Sequence, residues 1–351
     1  MLTKIKSALK WRYDVHISEY VDLFGSPMFY LKTKIRNIWL LRNPKIIYIY
    51  ANKRNVGDYI SFKGIRQLIG LPGPECFCSP LWADNLAKIL RKAKQRNPDC
   101  LLVIGGGGLL QPVFEDFWNE ILASELAFVT FGIGINKMHG RSEISEPLLK
   151  QIVHSAKLMG VRDIYTKERL LTLENRPIYL GVCPSVNFVF NKFWTGQPNP
   201  KGAILHIIHP SDIRLSGANL EQIKENIKLI AKELHMDYLE SDNMTNNFLG
   251  ALQQVSQARL VISSRLHGCI MSYSAGIPFI PLYCDEKTKA FTETHTRLNG
   301  FIPKQFENQQ DTRQIILEAL AIKDNQADML NSRLVENIGF ADEIIKLCPT
   351  H

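Results

Sequence analysis

The sequence predicts an α/β protein made of two Rossmann-like domains that face a central cleft. Its 351 residues exceed twice the usual length of one domain. Short apolar runs alternate with amphipathic stretches, which is typical of parallel sheets covered by helices on both faces. A segment rich in proline and glycine, residues 195–202, interrupts this alternation. With 45% hydrophobic and 22% charged residues, the chain has enough apolar surface for two cores.

The N-terminal α/β domain is predicted over residues 46–194. Its first strand is the β-branched and aromatic run at residues 46–50, and a helix follows at residues 59–69. A fully apolar run at residues 101–104, ahead of four glycines, predicts a buried parallel strand. The other elements are a strand at residues 127–131 and amphipathic helices at residues 144–159 and 164–174.

Residues 195–202 are the predicted linker, and the alternation restarts beyond it. A C-terminal α/β domain is predicted over residues 203–324, followed by a helix within residues 325–351. The strands are predicted at residues 203–208, 236–239, 259–263 and 277–282, and the helices at residues 218–235, 246–256 and 269–275. Because parallel strands present their carboxyl ends to the crevice between such domains, we expect a ligand to bind there.

The net positive charge of the protein, +8, lies in its N-terminal part. Residues 1–54 contain 11 Lys or Arg and 3 Asp or Glu, whereas residues 55–351 contain 31 of each and balance to zero. A nucleic-acid enzyme would line its working cleft with cations, so this distribution argues against nucleic acid as the substrate. A basic N-terminal segment at residues 1–45 suits contact with an anionic membrane surface.

A basic amphipathic helix is predicted within this segment. Five apolar residues recur at near-helical spacing with four basic residues between them. The apolar residues are Met28, Leu31, Ile35, Ile38 and Trp39, and the basic ones are Lys32, Lys34, Arg36 and Arg42. The helix either rests on an anionic membrane or packs on the N-terminal domain with its basic side chains in water, and the pattern fits both.

The cysteines and the chain start predict a cytoplasmic protein, peripheral at most on the inner face of the membrane. Seven cysteines without a repeated pair pattern indicate reduced thiols. The first residues lack the apolar core of a signal peptide, and no stretch approaches the roughly 18 apolar residues of a membrane span. No His or carboxylate cluster suggests a metal, so no metal site is predicted.

The first candidate motif, Asn55-Val56-Gly57-Asp58, follows a predicted strand and opens a helix. Gly57 permits a tight turn, Asp58 can cap the helix, and free N–H groups at a helix start favour an anion. Simple helix capping is the stronger interpretation of this motif on its own.

A tetraglycine, Gly105 to Gly108, follows the second predicted strand. Four consecutive glycines cost backbone entropy, which predicts that the backbone must approach something closely, and we expect a phosphate or carboxylate on N–H groups at the start of a helix. Tight packing is the alternative. The tetraglycine does not match the dinucleotide-binding pattern G-x-G-x-x-G, because Leu110 stands where the third glycine is required. Gly132-x-Gly134 does not match this pattern either. For Gly132-x-Gly134, ligand binding and packing are equally supported.

The string Ser263-Ser264-Arg265-Leu266-His267 is the most informative motif. It places a bidentate cation and a titratable imidazole at a strand tip that faces the predicted crevice. Serine hydroxyls beside them add hydrogen-bond donors, and a buried structural salt bridge is the alternative. Lys287 follows the next predicted strand, and its side chain either faces a ligand in the crevice or lies in solvent.

In order, these motifs resemble the polysaccharide pyruvyl transferase family over about residues 46–291. The resemblance rests on Asn55-x-Gly57-Asp58, the tetraglycine with Leu109, Gly132-x-Gly134, Val161-Arg162-Asp163, Ser264-Arg265-Leu266-His267, and the segment from Gly276-Ile277-Pro278 to Lys287. It implies a GT-B-like architecture and transfer of the enolpyruvyl group of phosphoenolpyruvate to a sugar, which gives a pyruvate ketal without a cofactor. This sequence departs from the family pattern in two places: Thr166 replaces a serine, and Cys183-Pro184 replaces Asp-Pro.

The resemblance and the residue chemistry together assign roles. Arg265 would hold the carboxylate or phosphate of the donor, and His267 and Asp58 are the candidates for proton transfer. The expected substrate-binding residues are Asn55, Gly57, Gly106, Gly107, Gly108, Gly134, Arg162, Ser264, Leu266 and Lys287. The expected partners are phosphoenolpyruvate and a saccharide acceptor on a lipid carrier. Two alternatives remain open: a GT-B glycosyltransferase using a nucleotide sugar, and a non-catalytic component of glycan assembly.

Overall fold

A computed structural model of the protein describes residues 35, 37–52, 55–77, 83–135, 143–194, 199, 201–245, 247–322 and 327–349. Among these residues, no helix combines the length and apolar character that crossing a membrane requires. Most of the predicted basic amphipathic helix and most of the predicted linker lie outside them.

The N-terminal half contains a six-stranded parallel sheet with the order β2-β1-β3-β4-β5-β6. Every residue of the neighbouring strands β1 and β3 is buried, because helices cover both faces of the sheet. The strands are β1 (Ile46–Tyr50), β2 (Glu75–Phe77), β3 (Leu101–Gly105), β4 (Phe128–Ile133), β5 (Leu158–Val161) and β6 (Tyr179–Leu180).

Among the described residues, helices alternate with the strands of this sheet. The first begins where Asn55 caps it, by accepting a hydrogen bond from the Gly57 N–H at 3.1 Å, and ends at the left-handed Gly70. The helices are α1 (Val56–Ile69), α2 (Ala83–Arg96), α3 (Glu115–Ser124), α4 (Glu146–Ser155), α5 (Ile164–Leu171) and α6 (Ser185–Phe193).

The C-terminal half contains a four-stranded parallel sheet with the order β10-β9-β7-β8. The strands are β7 (Ile204–Ile207), β8 (Tyr238–Ser241), β9 (Leu260–Ser263) and β10 (Phe279–Pro281). The helices are α7 (Pro210–Leu215), α8 (Leu220–Glu233), α9 (Phe248–Gln257), α10 (Leu266–Ala275), α11 (Glu286–His295), α12 (Gln309–Ala321) and α13 (Ala327–Lys346).

The last helix, α13, packs back on the N-terminal sheet. Phe340 stacks on Tyr179 with ring centroids 4.2 Å apart and meets Phe131 edge to face. Gly160 leaves room for the Phe340 ring, since a Cβ there would lie 2.4 Å from it. The final helix therefore completes the core of the first domain and connects the two halves.

The two-domain α/β prediction is confirmed, and two local expectations are wrong. The helix expected at residues 144–159 ends at Ser155, because Leu158–Val161 pairs with β4 as strand β5. No helix follows the tetraglycine directly: Leu109 and Leu110 are buried there, Leu110 forms a bridge with Ile135, and α3 begins only at Glu115.

Candidate active site

The loops that leave the two sheets meet at the carboxyl ends of their strands. The backbone N–H of Val56, after β1, donates to the carbonyl of Asn243, after β8, at 3.2 Å. Asn55 and Met244 form an isolated antiparallel bridge beside this contact. The predicted crevice is therefore bounded by direct contact between the domains, with the N-terminus of α1 at its centre.

The tetraglycine packs against the first turns of α1. A Cβ on Gly106 would lie 2.8 Å from the Asp58 carbonyl oxygen, and one on Gly107 would lie 2.8 Å from Asp58 Oδ1. Both glycines have positive φ angles, 84° and 104°, which other residues rarely adopt. The predicted close approach is thus made by α1 itself, so tight packing accounts for Gly106 and Gly107, while Gly108 is only half-buried.

Asp58 lies in the first turn of α1 and is buried beside this loop. Burial raises the pKa of its carboxyl to about 7, although Arg162, Lys287 and Arg265 oppose the shift. The desolvation effect is the larger, so Asp58 holds a proton over much of the range below neutral pH. A buried carboxyl that carries its proton near pH 7 has the properties of a general acid.

His267 lies in the first turn of α10 and faces the same turn of α1 from the other domain. A Cβ on Gly57 would lie 2.0 Å from Nδ1 of His267, so the glycine is required for the imidazole to fit. Burial lowers the pKa of His267 well below its usual range, and the charges of Arg162, Lys287 and Arg265 lower it further. The imidazole is therefore neutral and able to accept a proton.

Three cationic side chains from different elements surround Asp58 and His267. Arg162 is buried, with Nε 3.7 Å from Oδ2 of Asp163, and neither atom has a hydrogen-bond partner among the described residues. Arg265 donates from Nε to the Ile208 carbonyl at 3.2 Å. Lys287 approaches Oδ2 of Asp285 at 2.8 Å. Arg162 is thus a buried cation with an unused donor, which is suited to binding an anion, while Arg265 and Lys287 are half-buried beside it.

A narrow cleft of about 170 Å³ lies beside Arg162 and Lys287. Its lining combines Arg162, Asp163 and Lys287 with Cys183 and the apolar Leu266, Ile270 and Phe291. Among the described residues, no group of three or more His, Cys, Asp or Glu side chains has an arrangement that could hold a metal ion.

The other expected binding residues position the site. Asn55 caps α1, and Ser264 Oγ accepts from the His209 N–H at 2.8 Å, which fixes the loop after β7. The bare Cα of Gly134 faces the Arg162–Asp163 pair, since a Cβ there would lie 2.8 Å from Arg162 Nε. Thr166 Oγ1 accepts a hydrogen bond from the Ile135 N–H at 2.9 Å. The threonine that stands in place of the family's serine therefore keeps a hydroxyl that forms a hydrogen bond.

His295 is a site residue that the sequence analysis missed. Its Nε2 bonds to the backbone carbonyl of Arg162 at 2.9 Å, which joins α11 of the second domain to the arginine-bearing loop of the first. Burial lowers the pKa of His295 to about 4, so the neutral ring donates this bond. No local pattern around residue 295 signals the contact, because its partner is distant in the sequence.

Replacing His295 by Ala should lower the free energy of unfolding by about 1–3 kcal/mol, because the Arg162 carbonyl would lose a buried donor. Urea denaturation measures the change. The exposed His154 supplies the control, and its replacement by Ala should change stability by less than about 0.5 kcal/mol. Equal stability of the two variants would contradict the role given to His295.

Two α/β domains with parallel sheets, in contact at the carboxyl ends of their strands, define a protein of GT-B-like architecture. Solved structures of this fold are similar to the chain. A Listeria monocytogenes protein provisionally described as a UDP-N-acetylglucosamine 2-epimerase aligns with a TM-score of 0.56 and 10% identity, covering 85% of this chain and 93% of that one. UDP-GlcNAc 2-epimerase from Neisseria meningitidis, bound to UDP-GlcNAc, aligns with a TM-score of 0.54 and 11% identity, covering 86% and 98%.

A family model described as polysaccharide pyruvyl transferase matches residues 11–286. The chain belongs to this family, which confirms the resemblance carried by the strand-end motifs. It is accordingly a transferase of polysaccharide biosynthesis that acts on a saccharide. No curated protein matches the chain.

Proposed function

We propose that the protein transfers the enolpyruvyl group of phosphoenolpyruvate to a sugar of a cell-surface polysaccharide or its lipid-linked precursor, and forms a pyruvate ketal. The observation that carries this proposal is the grouping of three cations, Arg162, Arg265 and Lys287, around the protonated carboxyl of Asp58 and the neutral imidazole of His267. These are the groups that an anionic enol ether needs for binding and for proton transfer.

The charge of the site matches the donor. Phosphoenolpyruvate carries about three negative charges near neutral pH, on one carboxylate and one phosphate. Arg162 and Arg265 offer planar guanidinium groups that can each hold a carboxylate or phosphate through two hydrogen bonds. Lys287 lines the same cleft as Arg162 and adds a third cation, which is paired with Asp285. A bound donor would also supply the hydrogen-bond partner that Arg162 Nε lacks among the described residues.

The reaction requires a proton on C3 of the donor and the loss of protons from two sugar hydroxyls. In the proposed sequence, Asp58 protonates C3, which leaves an oxocarbenium-like centre at C2. One hydroxyl adds to C2 as His267 accepts its proton, the C2–O bond to phosphate breaks, and a second hydroxyl of the same sugar closes the ketal. One hydroxyl proton leaves with inorganic phosphate, and the other restores Asp58. The steps need no metal ion or organic cofactor.

Phosphoenolpyruvate should raise the melting temperature of the protein in a thermal shift assay, because a ligand that binds only the native state stabilises it. UDP-GlcNAc and UDP-glucose at equal concentration should have no effect, and the shift with phosphoenolpyruvate should persist in EDTA. A shift with the nucleotide sugars alone would instead support a glycosyltransferase. Stabilisation by phosphoenolpyruvate without turnover of any saccharide acceptor would support a non-catalytic component of glycan assembly.

The membrane part of the proposal rests on the N-terminal segment. Within the described residues, Ile35, Ile38 and Trp39 are between 49% and 61% exposed. Asn37 anchors the same stretch by pairing with the backbone of Glu75, at 2.7 Å and 3.1 Å. Apolar side chains that face solvent beside basic residues suit the surface of an anionic membrane, where a lipid-linked acceptor would be presented.

Liposome sedimentation should show binding that rises with anionic lipid and weakens as salt is raised to about 0.5 M, since salt screens the attraction. Replacing Lys32, Lys34 and Arg36 together by Glu should abolish it while activity on a soluble acceptor persists. The matched control replaces the exposed Lys201, Lys232 and Lys304 by Glu, with the same change in charge. Equal retention on neutral and anionic vesicles would contradict the membrane contact.

A further inference from the structure

Nε2 of His267 points into a buried cluster of hydroxyl and thiol groups. Ser61 Oγ, on α1, lies 3.4 Å from Nε2, and Cys183 Sγ, at the start of α6, lies 3.8 Å from it. Ser61 and Cys183 are 3.0 Å apart, and Ser185 Oγ lies 3.1 Å from the sulfur. All three side chains are almost fully buried. The cluster therefore belongs to the first domain and receives the imidazole of the second.

The donors and acceptors of the cluster fix the direction of its hydrogen bonds. Ser61 donates its single hydroxyl hydrogen to the Gly57 carbonyl at 2.8 Å, so its oxygen acts as an acceptor toward its other neighbours. Ser185 donates to the Cys183 sulfur. The Cys183 S–H lies nearer to Ser61 Oγ than to the imidazole, and donates there.

Nε2 of His267 consequently faces two acceptors and no free donor. A lone pair on Nε2 would be repelled by the oxygen and the sulfur, whereas an N–H bond would satisfy them. Nδ1 lies on the opposite side of the ring, against Gly57, and no described residue forms a hydrogen bond with it. The residue as a whole retains 8% exposure.

We propose that Ser61 and Cys183 act as positioning residues that hold the neutral imidazole of His267 with its proton on Nε2 and leave the Nδ1 lone pair, beside the N-terminus of α1, as the basic atom of the site. Only the use of that base, to accept a proton from the acceptor hydroxyl, rests on the function proposed above. The thiol at residue 183 thus takes part in the site.

The surrounding charges favour the neutral ring on which this assignment depends. The groups that face it are Arg162 ahead of α5, Arg265 ahead of α10, Lys287 on α11 and Asp58 on α1. The three cations disfavour an imidazolium, and Asp58 offers little compensating negative charge while it holds its own proton. The choice of tautomer then decides which nitrogen is the base.

Nitrogen-15 NMR of histidine-labelled protein tests the assignment without any substrate. The signals of His267 are identified by their loss in His267→Gln. We expect Nε2 to carry a proton that exchanges slowly with water, and Nδ1 to be unprotonated. In the double variant Ser61→Ala, Cys183→Ala, exchange of that proton should be at least tenfold faster. Protonation at Nδ1 in the unaltered protein, or unchanged exchange in the double variant, would overturn the proposal.

Kinetics separate positioning from a purely structural role. Cys183→Ala should lower kcat about tenfold with the KM for phosphoenolpyruvate within twofold, while Cys183→Ser, which keeps a donor and an acceptor, should recover kcat to within threefold of the original. Cys100→Ala removes an equally buried thiol from the first domain and should leave both constants unchanged. A fall in kcat that Ser does not rescue would contradict the role of Cys183. If the NMR result holds but no pyruvyl transfer occurs, the proposed function alone fails.

Discussion

Replacing Asp58 by Asn should lower kcat by about 100-fold or more and leave the affinity for phosphoenolpyruvate nearly unchanged. The amide occupies the same space but has no acidic proton, so the variant binds the donor and cannot protonate C3. Because burial raises the pKa of Asp58 to about 7, the rate of the unaltered enzyme should fall as pH rises through that value. Steady-state kinetics from pH 5 to about 9 measure both effects.

His267→Ala tests the second half of the same mechanism and should also lower kcat by about 100-fold. The control is His154→Ala, which alters an exposed histidine outside the cleft. If Asp58→Asn and His267→Ala both turn over at the original rate, the assignment of acid and base is wrong.

The stability of Asp58→Asn gives an independent check of the pKa. In the native state Asp58 keeps its proton up to a pH of about 7, whereas in the unfolded chain it loses it near its ordinary value of 3.8. The native state therefore binds more protons between these values, and the stability of the unaltered protein falls as pH rises through this window. The Asn variant should gain stability relative to it, by up to about 4 kcal/mol at pH 8. A constant difference at all pH values would contradict the raised pKa.

Replacing Arg162 by Lys should weaken the binding of phosphoenolpyruvate by about 10-fold to 100-fold, equivalent to roughly 1.5–3 kcal/mol. An ammonium cannot reproduce the two parallel hydrogen bonds that a guanidinium makes to a carboxylate or phosphate. The same loss is expected for Arg265→Lys, which would also remove the bond to the Ile208 carbonyl. Isothermal titration calorimetry measures the affinities.

Arg214→Lys is the matched control for both arginine variants, because its side chain is exposed on α7. Its affinity for phosphoenolpyruvate should equal that of the unaltered protein. Unchanged affinity in Arg162→Lys or in Arg265→Lys would remove that arginine from the donor site.

The sequence determined the repeating architecture and the strand-end motifs. Apolar runs such as Leu101–Gly105 and glycines such as Gly106 and Gly107 reflect local requirements, burial on both faces of a sheet and positive φ angles, which a sequence expresses directly. Arg265 and His267 were identified for the same reason, because they stand at the carboxyl end of a recognisable strand. The order of these motifs along the chain indicated the polysaccharide pyruvyl transferase family.

Short or weakly patterned elements are not evident from the sequence. Strand β6 has only two residues, and it forms because Gly160 and Val161 of β5 offer it a paired edge. Helix α6 follows Cys183-Pro184 without a capping side chain and is held by packing against α1, where Gly64 allows the Pro184 carbonyl to approach. Such elements depend on their neighbours more than on their own sequence.

Only the tertiary structure decided what each site residue faces. The tetraglycine contacts α1 rather than beginning a helix of its own, and Gly57 makes room for an imidazole from the other domain. Ser61 and His267 are 206 residues apart in the chain, and Arg162 and His295 are 133 apart. Burial and pKa arise from these long-range contacts and the exclusion of water that they cause, and no local pattern of residues encodes them.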